Sequence, residues 1–506
     1  MTSANPQKTM QTDSHTAAKL KTYYSYMSEI YRLQCIMSLL GWDQRVSMPA
    51  GASKGRAEQI EYLYLSMHRK LTSHRLGETV DELHDVLDCL GTPDQVNIRE
   101  TKRALDIERR LPDEFISEFA QVCTLAYSAW EAARPANDFK AVEPFLRKIV
   151  RLSKTRCELV GYQGNPYDAM LDMHDPGLLT ANVKPLLLDL AGQLRELIPI
   201  ISERFAGDEP LVGSFDTEVQ YRLCVRVAQS LGLSFESGRI DPTAHPFMTS
   251  IGPSDVRITV RYDERNFLSG LYDIIHETGH ALYELGLPSE YAGTPMGQPA
   301  SMAVHESQSR LWENVIGRSR EFCRYLSGLL PDFFPEHELD PERLWRLVNR
   351  VRPSLIRADA DEVTYSQHVV VRMLIEEEMI NRNLDISDLP DAWNELYEKY
   401  LGIRPTDYKD GVMQDVHWYQ GAIGYFPTYV LGSVYDAMMM DSAQAAIPGL
   451  PQHIESGNFA PLLDWTRENV HRHGMRYRGP ELIKSITGTD PSVEPFVRYL
   501  KNKFLG

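Results

Sequence analysis

The chain has 506 residues, of which 43% are hydrophobic and 24% are charged, and its formal net charge is −17. A chain of this length can bury a large core, and length alone would allow about two to four domains. Such acidity argues against a general binder of nucleic acid or of anionic membranes, since both carry negative charge. Because there is no internal repeat and no long Pro/Gly/Ser linker, we predict one structural unit over residues 1–506.

The N-terminal segment and the cysteines indicate the cell compartment. Residues 1–15 are polar and we expect them to be disordered; they contain no apolar segment typical of a secretory signal. No apolar run approaches the roughly 18 residues that a membrane-spanning helix needs. The six cysteines are widely separated, with no pair spaced as C-x-x-C. We therefore expect reduced thiols and a cytoplasmic protein without a membrane partner.

Helical periodicity dominates the chain in order from the N-terminus. Apolar side chains recur at helical spacing in three long stripes, and we expect each stripe to face the core: Tyr23, Tyr26, Met27, Ile30, Leu33, Met37 and Leu40; Ile60, Leu63, Tyr64 and Met67; Leu187, Leu190, Leu194, Leu197 and Ile201. The predicted fold class is therefore mainly α.

One segment departs from the helical pattern. Residues 256–262, VRITVRY, alternate apolar and polar side chains, which is typical of a half-buried strand. The strand precedes the most informative helix of the chain. It is either a structural strand of a small sheet or a sheet edge that pairs with an extended peptide.

That helix contains His276-Glu277-Thr278-Gly279-His280. Histidines four residues apart on a helix lie on the same face, so one zinc ion can bind both, with the glutamate beside the activated water. Ser269 is the predicted N-terminal cap, and Gly286 the predicted end, of a helix of roughly four turns. The pattern indicates a metal-dependent hydrolase.

A catalytic zinc usually has three protein ligands and one open position. A third histidine six residues after His280 is excluded, because position 286 is glycine. Glu306 is the better candidate, because a Gly/Pro loop at 291–299 allows a second helix to fold back. Ala303, Glu306 and Arg310 would share a face of that helix, with Glu313 nearby. The rivals that remain are His305 and the pair His337-Glu338, which lies in a segment suited to a surface loop.

An ordered set of motifs along nearly the whole chain resembles the carboxypeptidase Taq family of zinc metallopeptidases. The pentapeptide HETGH occurs in many metallopeptidases, but the ordered set is highly specific. The motifs are GWDQRVSMP (41–49), NPYDAMLDMHDPG (165–177), HPF (245–247), DVRIT (255–259), HETGH (276–280), HESQ (305–308), IRADAD (356–361), GVMQDVHW (411–418) and GYFPTY (424–429).

The resemblance implies a large helical metallopeptidase with a deep cleft and a small sheet beside the zinc helix. It implies a homodimer that releases single amino acids from peptides with a free C-terminus. The implied metal ligands are His276, His280 and Glu306, the implied catalytic residue is Glu277, and the cofactor is zinc, with cobalt as an alternative.

The remaining candidates bind the substrate or stabilise the oxyanion. A second donor besides the metal is needed for the tetrahedral oxyanion, and we assign it to His417 and Tyr425, with Tyr429 in reserve. Arginine is suited to a peptide carboxylate. Arg357 is the first candidate for that role, with Arg404 or Arg352 as alternatives. His245 and Gln414 are candidates for lining the cleft, and Asp273 and Asp415 for supporting the two histidines.

Three other functions compete with this interpretation. A related helical oligopeptidase or endopeptidase would use the same metal site but would not need an arginine for the substrate carboxylate. An aminopeptidase is disfavoured, because no G-x-M-E-N-type segment is present. An inactive metal-binding scaffold is disfavoured by the intact set of ligands and Glu277.

Overall fold

The computed structural model describes residues 14–243, 245–382 and 384–506. Of the segment 1–15, which is predicted to be disordered, residues 1–13 lie outside the described residues. Ser14 begins the first helix. Four N-terminal helices follow one another: α1 (Ser14–Val46), α2 (Ser53–Leu71), α3 (His74–Asp85) and α4 (Thr92–Glu108).

Helices α1, α3 and α4 enclose a small core of their own. The first predicted stripe contributes Tyr23, Met27 and Ile30, which pack against apolar residues of α3 and α4 such as Leu76 and Ile98. The stripe predicted on α2 is wrong as a core stripe, because none of the residues of α2 is buried. Helix α2 packs on the outside of α1, so its apolar residues remain partly or fully exposed.

Helices α5 to α9 follow α4 along the chain. The apolar stripe predicted at 187–201 is confirmed as part of the core. All five of its members are buried on α8. The bounds are α5 (Asp113–Ala133), α6 (Phe139–Val160), α7 (Tyr167–Leu171), α8 (Thr180–Arg204) and α9 (Thr217–Leu231).

A three-stranded sheet separates α9 from the second half of the chain. Its strands are β1 (Gly238–Pro242), β2 (Phe247–Gly252) and β3 (Asp255–Val260). The predicted strand is confirmed as β3, although it ends two residues early. Strand β3 lies in the centre, parallel to β1 and antiparallel to β2. Its backbone is therefore already paired on both sides, which excludes β3 itself as a sheet edge for an extended peptide.

The second half of the chain is helical and shares one continuous core with α5 to α9 and the sheet. No helix of the described residues is long and apolar enough to cross a membrane. All six cysteines are free thiols, and three of them are buried. The bounds are α10 (Phe267–Gly286), α11 (Met302–Arg310), α12 (Arg320–Leu329), α13 (Pro341–Val348), α14 (Tyr365–Glu377), α15 (Leu389–Leu401), α16 (Pro427–Ala446), α17 (Leu450–Glu455), α18 (Ala460–Asn469), α19 (Gly479–Thr487) and α20 (Glu494–Leu505).

Candidate metal centre and substrate cleft

Helix α10 carries both histidines into the interior of the protein. It begins at Phe267, so the prediction that Ser269 caps it is wrong, and its 20 residues exceed the predicted four turns. It ends at Gly286 as predicted. Apolar residues on its other faces pack against β3 and α9, and this burial holds the helix in place.

Helix α11 delivers Glu306 from the opposite side. The hydroxyl of Ser301 caps α11 by accepting a hydrogen bond from the backbone N–H of Val304 at 3.2 Å. Two glycines let the neighbouring helices approach. A Cβ at Gly279 of α10 would lie 2.7 Å from the carbonyl oxygen of Gln308, and a Cβ at Gly432 of α16 would lie 2.8 Å from Cγ of Glu306. Glu306 is therefore held between α10 and α16.

His276, His280 and Glu306 form one cluster, with their ligand atoms within 4.8 Å of one another. Oε2 of Glu306 lies 3.9 Å from Nε2 of His276 and 3.6 Å from Nε2 of His280. A tetrahedral zinc site with bonds of about 2.0–2.1 Å places its ligand atoms about 3.4 Å apart. The distances from Glu306 to the two histidines are therefore close to those of a metal site, and two nitrogens and one carboxylate oxygen suit zinc.

The atoms that face away from the cluster are hydrogen-bonded. Nε of Arg310 donates to Oε1 of Glu306 at 2.7 Å, which leaves Oε2 facing the histidines. Nδ1 of His276 lies 2.9 Å from Oε2 of Glu313, whose other oxygen accepts from Arg318 at 2.8 Å. The bonds to Glu306 and His276 thus fix the orientation of two side chains of the candidate metal cluster.

His305 supports His280 in the corresponding place, since the two Nδ1 atoms are 2.6 Å apart. Glu313 and His305 are therefore the partners of the two histidines, and the sequence-based choice of Asp273 and Asp415 is wrong. Glu313 follows α11 on a π-helical turn at Leu311–Ile316, so simple helical periodicity does not predict its direction. The rival pair His337-Glu338 lies in a loop, where the ring of His337 packs on Phe215 at 4.5 Å.

The protonation behaviour of the site suits proton transfer. Burial, together with the nearby charges of Glu306 and Asp273, raises the pKa of Glu277 to about 7, close to the value that a general base needs near neutral pH. Burial opposes the charged form of His276, but the hydrogen bond that its Nδ1–H donates to Glu313 raises its pKa to about 9. A metal ion must therefore displace a proton from His276 when it binds.

A cleft of about 1010 Å³ opens over the cluster. Its walls come from α10, α11, the π-helical turn and the segment 347–362. Among the residues that line it are Pro246, Asp273, His276, Glu277, Glu306, Arg310, Glu313, Arg352, Arg357, Glu362, Tyr365 and Tyr429.

Arg357 lines this cleft and is held from behind. Its Nε and Nη2 donate to Oδ1 of Asp415 at 3.0 and 2.8 Å, and its Nη1 donates to the hydroxyl of Tyr365 at 2.8 Å. Neither Asp359 nor Asp361 takes this place; Asp361 instead accepts hydrogen bonds from the backbone of the segment that follows it. Two of the five guanidinium N–H groups of Arg357 remain for a ligand.

The other substrate candidates are distributed differently. Gln414 is buried below Arg357: its Oε1 accepts from the backbone N–H of Arg357 at 2.8 Å and from Arg372 at 2.8 Å. Gln414 thus supports the cleft from below. His245 is exposed, next to the cleft residue Pro246. Arg404 lies on the surface in an ion pair with Glu398, away from the residues that line the cleft.

Of the three oxyanion candidates, Tyr429 lines the cleft. Nε2 of His417 lies 3.2 Å from the hydroxyl of Tyr429, so His417 reaches the cleft through that tyrosine. Tyr425 packs against both, with ring centroids 5.7 Å from His417 and 5.2 Å from Tyr429. The reserve candidate, Tyr429, thus has the most direct access to the cleft of the three.

The chain is similar to known carboxypeptidases along nearly its whole length. Thermostable carboxypeptidase 1 of Thermus thermophilus is 40% identical over 502 residues, which cover 96% of this chain and 98% of that protein. The crystal structure of the M32 carboxypeptidase from Deinococcus radiodurans is 38% identical, with a TM-score of 0.93 over 96% of this chain and 99% of that one. The Pyrococcus furiosus carboxypeptidase structure is 35% identical, with a TM-score of 0.93 over 98% of this chain and 100% of that one. The sequence profile of the carboxypeptidase Taq (M32) metallopeptidases matches residues 22–504, and the chain therefore belongs to this family of peptide hydrolases.

Proposed function

We propose that this chain is a zinc-dependent carboxypeptidase that releases single amino acids from the C-termini of peptides. The observation that carries the proposal is that Arg357 lines the same cleft as His276, Glu277 and Glu306, two of which form the candidate metal cluster with His280. The guanidinium of Arg357 would bind the free carboxylate of a peptide, and the metal cluster would act on the peptide bond next to that carboxylate.

His276, His280 and Glu306 would hold the metal ion. When bound, the ion supplies Lewis-acid activation of water and of the scissile carbonyl. Glu277 accepts the proton of the attacking water and passes it to the leaving amine. Its pKa of about 7 lets it take up and release a proton near neutral pH. Because it is buried, this carboxyl group works in a medium that strengthens its electrostatic effect on the reacting atoms.

Tyr429, supported by His417 and Tyr425, donates a hydrogen bond to the oxyanion that develops on the substrate. The hydroxyl of Tyr429 is the nearest of the three to the cleft, and Nε2 of His417 lies 3.2 Å from it. Arg357 binds the terminal carboxylate with its two remaining N–H groups. Gln414 and Asp415 hold Arg357 in place from below.

A comparison of free-acid and C-terminally amidated peptides tests this assignment. We expect the wild-type protein to cut the free acid and to cut the amide far more slowly. We expect Arg357→Lys to lower kcat/KM for the free acid about 10²-fold, mainly through KM, since lysine keeps the charge but lacks the planar fork that binds Asp415, Tyr365 and a carboxylate together. For the amidated peptide, kcat/KM of the variant should be no lower than that of the wild type, because the amide has no carboxylate for Arg357 to bind. Equal cleavage of both peptides by the wild type would contradict a carboxypeptidase and favour an oligopeptidase.

Substitution of Glu277 separates the enzyme from an inactive scaffold. Glu277→Gln should retain the metal, because Glu277 is not among its ligands, and should lose about 10²–10⁴-fold in kcat. Glu338→Gln, in an exposed loop, is the matched control and should be unchanged. A wild-type protein that binds no metal and cuts no peptide would leave the scaffold function standing.

The working metal is a part of the same proposal. Two histidines and one carboxylate suit zinc, and cobalt accepts the same ligands. Metal analysis of the purified protein, followed by reloading of the chelated protein with either ion, identifies the better one by kcat. We expect zinc in the purified protein and activity with both ions.

We also propose a cytoplasmic homodimer. Helix α2 exposes the large apolar side chains of Tyr62, Tyr64 and Leu65, and the neighbouring α1 exposes those of Ile36 and Leu39. A 19-residue helix with no buried residue is unusual in a monomer, and a second copy of the chain would cover these side chains. Light scattering should give twice the mass of one chain for the wild type and a monomer for Tyr62→Glu with Leu65→Glu. A monomeric wild type would contradict the homodimer.

The six free thiols support the cytoplasmic location.

A further inference from the structure

A chain of three side chains leads away from the metal cluster behind His280. Nδ1 of His280 lies 2.6 Å from Nδ1 of His305, and Nε2 of His305 lies 3.1 Å from Oε1 of Glu284. The ring of His305 packs against His280 and Tyr283, with centroid distances of 4.5 and 5.3 Å. His276 differs, because its Nδ1 meets the carboxylate of Glu313 directly.

The positions of the protons in this chain follow from the chemistry of each atom. Nε2 of His280 faces Glu306, so it is the atom that offers a lone pair to a metal, and the neutral ring must carry its proton on Nδ1. Nδ1 of His305 must then accept that hydrogen bond. A neutral His305 therefore carries its own proton on Nε2, where it donates to Glu284.

We infer that His305 and Glu284 are positioning residues, which hold the ring of His280 in the tautomer and orientation that bind the metal. His305 is thus a support for a ligand and not a ligand. The negative charge of Glu284 makes Nδ1 of His305 a better acceptor, since bonds in such a chain polarise one another. The inference rests only on the metal-binding part of the proposed function.

The two histidine ligands are consequently supported in different ways. His276 has a charged acceptor, which itself is bound to Arg318. His280 has a neutral acceptor, and the charge lies one ring further away. We expect the support of His280 to depend on the acceptor atom at the position of Nδ1 in residue 305, and less on the charge of Glu284.

Three variants test this dependence through the zinc dissociation constant, measured by competition with a chelator. His305→Leu removes the acceptor and should weaken binding about 10- to 100-fold. His305→Asn places an amide oxygen near the position of Nδ1 and should stay within about a factor of 10 of the wild type, and tighter than His305→Leu. Glu284→Gln keeps an acceptor for His305 but removes the charge, so its loss should be smaller than that of His305→Leu.

The visible spectrum of the cobalt-loaded protein distinguishes a support from a ligand. A positioning role predicts the wild-type band pattern in His305→Leu at saturating cobalt, because the three ligands remain. A changed band pattern would show that His305 binds the metal, and the inference would be overturned. His74→Leu, with a histidine whose side chain is 86% exposed, is the control for loss of a histidine as such.

Two further results would overturn the inference. One is an unchanged zinc dissociation constant in a folded His305→Leu protein, and the other is equal weakening in His305→Asn and His305→Leu. If His305→Leu does not fold, Glu284→Leu against Glu284→Gln poses the same question, since only glutamine retains an acceptor for His305. Because all readouts are metal binding, a failure of the peptide assays would not affect them.

Discussion

Asp415 lies between two arginines below the cleft, and its carboxylate binds both. Oδ1 accepts from Arg357, and Oδ2 accepts from Nε of Arg372 at 2.6 Å. Burial opposes the charged form, but the two guanidinium groups hold the pKa of Asp415 well below its usual range. At the scale of single residues, this carboxylate fixes the position of the side chain that we assign to the substrate's terminus.

Asp415→Asn should therefore affect both stability and substrate binding. Loss of the charge leaves two buried arginines with a neutral partner, so we expect the free energy of unfolding to fall by about 3–5 kcal/mol. KM for free-acid peptides should rise more than kcat falls. Urea unfolding at neutral pH and steady-state kinetics measure the two effects.

The loss of unfolding free energy in Asp415→Asn should depend on pH. A depressed pKa in the folded protein gives stability that is present above the unfolded value of about 3.9 and declines as the pH falls below it. The difference between wild type and variant should thus shrink in acid. Asp464→Asn, on an exposed side chain, is the control. A constant difference between neutral pH and about pH 3 would contradict the role of the charge.

At the scale of elements, close approach of helices decides where Glu306 lies. Helix α16 packs on α11 without a side chain at Gly432. Gly432→Ala should therefore displace Glu306 by overpacking, with a loss of about 1–3 kcal/mol in stability and weaker metal binding. Thermal unfolding of the metal-free protein and a metal titration measure these effects.

Gly192→Ala is the matched control for that substitution. Gly192 lies on the exposed face of α8, and a Cβ there would meet no atom within 4 Å. We expect it to stabilise the protein by up to about 1 kcal/mol, since alanine favours the helix. If Gly432→Ala behaves like this control, the side chain of Glu306 can move away from the added methyl group without loss of stability or metal binding.

Glu376 on α14 joins three elements and supplies a second prediction at this scale. Its carboxyl group accepts hydrogen bonds from Tyr167 at 2.6 Å, Trp418 at 2.7 Å and the backbone of Gly424 at 3.0 Å. Burial raises its pKa to about 7. The folded protein then binds more protons than the unfolded chain between about pH 4.5 and pH 7, so stability falls as the pH rises through this range.

Glu376→Gln removes this titration. Relative to the variant, the wild type should lose about 3 kcal/mol of unfolding free energy between about pH 4 and pH 8. Parallel urea titrations of the two proteins across this range measure the difference. Glu481→Gln, on the exposed start of α19, controls for the general effect of a lost carboxylate. A difference that stays flat with pH would show that Glu376 is charged throughout.

At the scale of the whole molecule, the proposed metal would join two helices of the active-site region. Its proposed ligands lie on α10 and α11, which the chain connects only through the loop at 287–301. A metal that binds the folded protein alone stabilises it by about 4 kcal/mol when its concentration is 1,000 times Kd. Chelation should therefore lower Tm by several degrees, and readdition of zinc should restore it.

Glu306→Gln is the comparison for metal removal. It lacks one ligand, so chelation should change its Tm much less than that of the wild type. Scanning calorimetry of both proteins with and without chelator measures the shifts. Equal shifts in the two proteins would place the stabilising metal elsewhere.

Much of the site was predictable because its signals are local. Helix geometry interprets the four-residue spacing of His276 and His280. Rules for helix ends and loops interpret the glycine at 286 and the Gly/Pro loop before Glu306. Arg357, by contrast, was predicted through family motifs, and its partner Asp415 lies 58 residues away. Long-range pairs of this kind leave no periodic pattern in the sequence.

The sequence by itself determined the helical class, the central strand, the candidate metal ligands and the family, because each depends on residue type at short, regular spacing. Only the tertiary structure decided what lies behind the ligands. The π-helical turn aims Glu313 at His276, two glycines bring α10 and α16 against α11, and His305 becomes a support for His280. These are contacts between elements, and they depend on how buried surfaces pack.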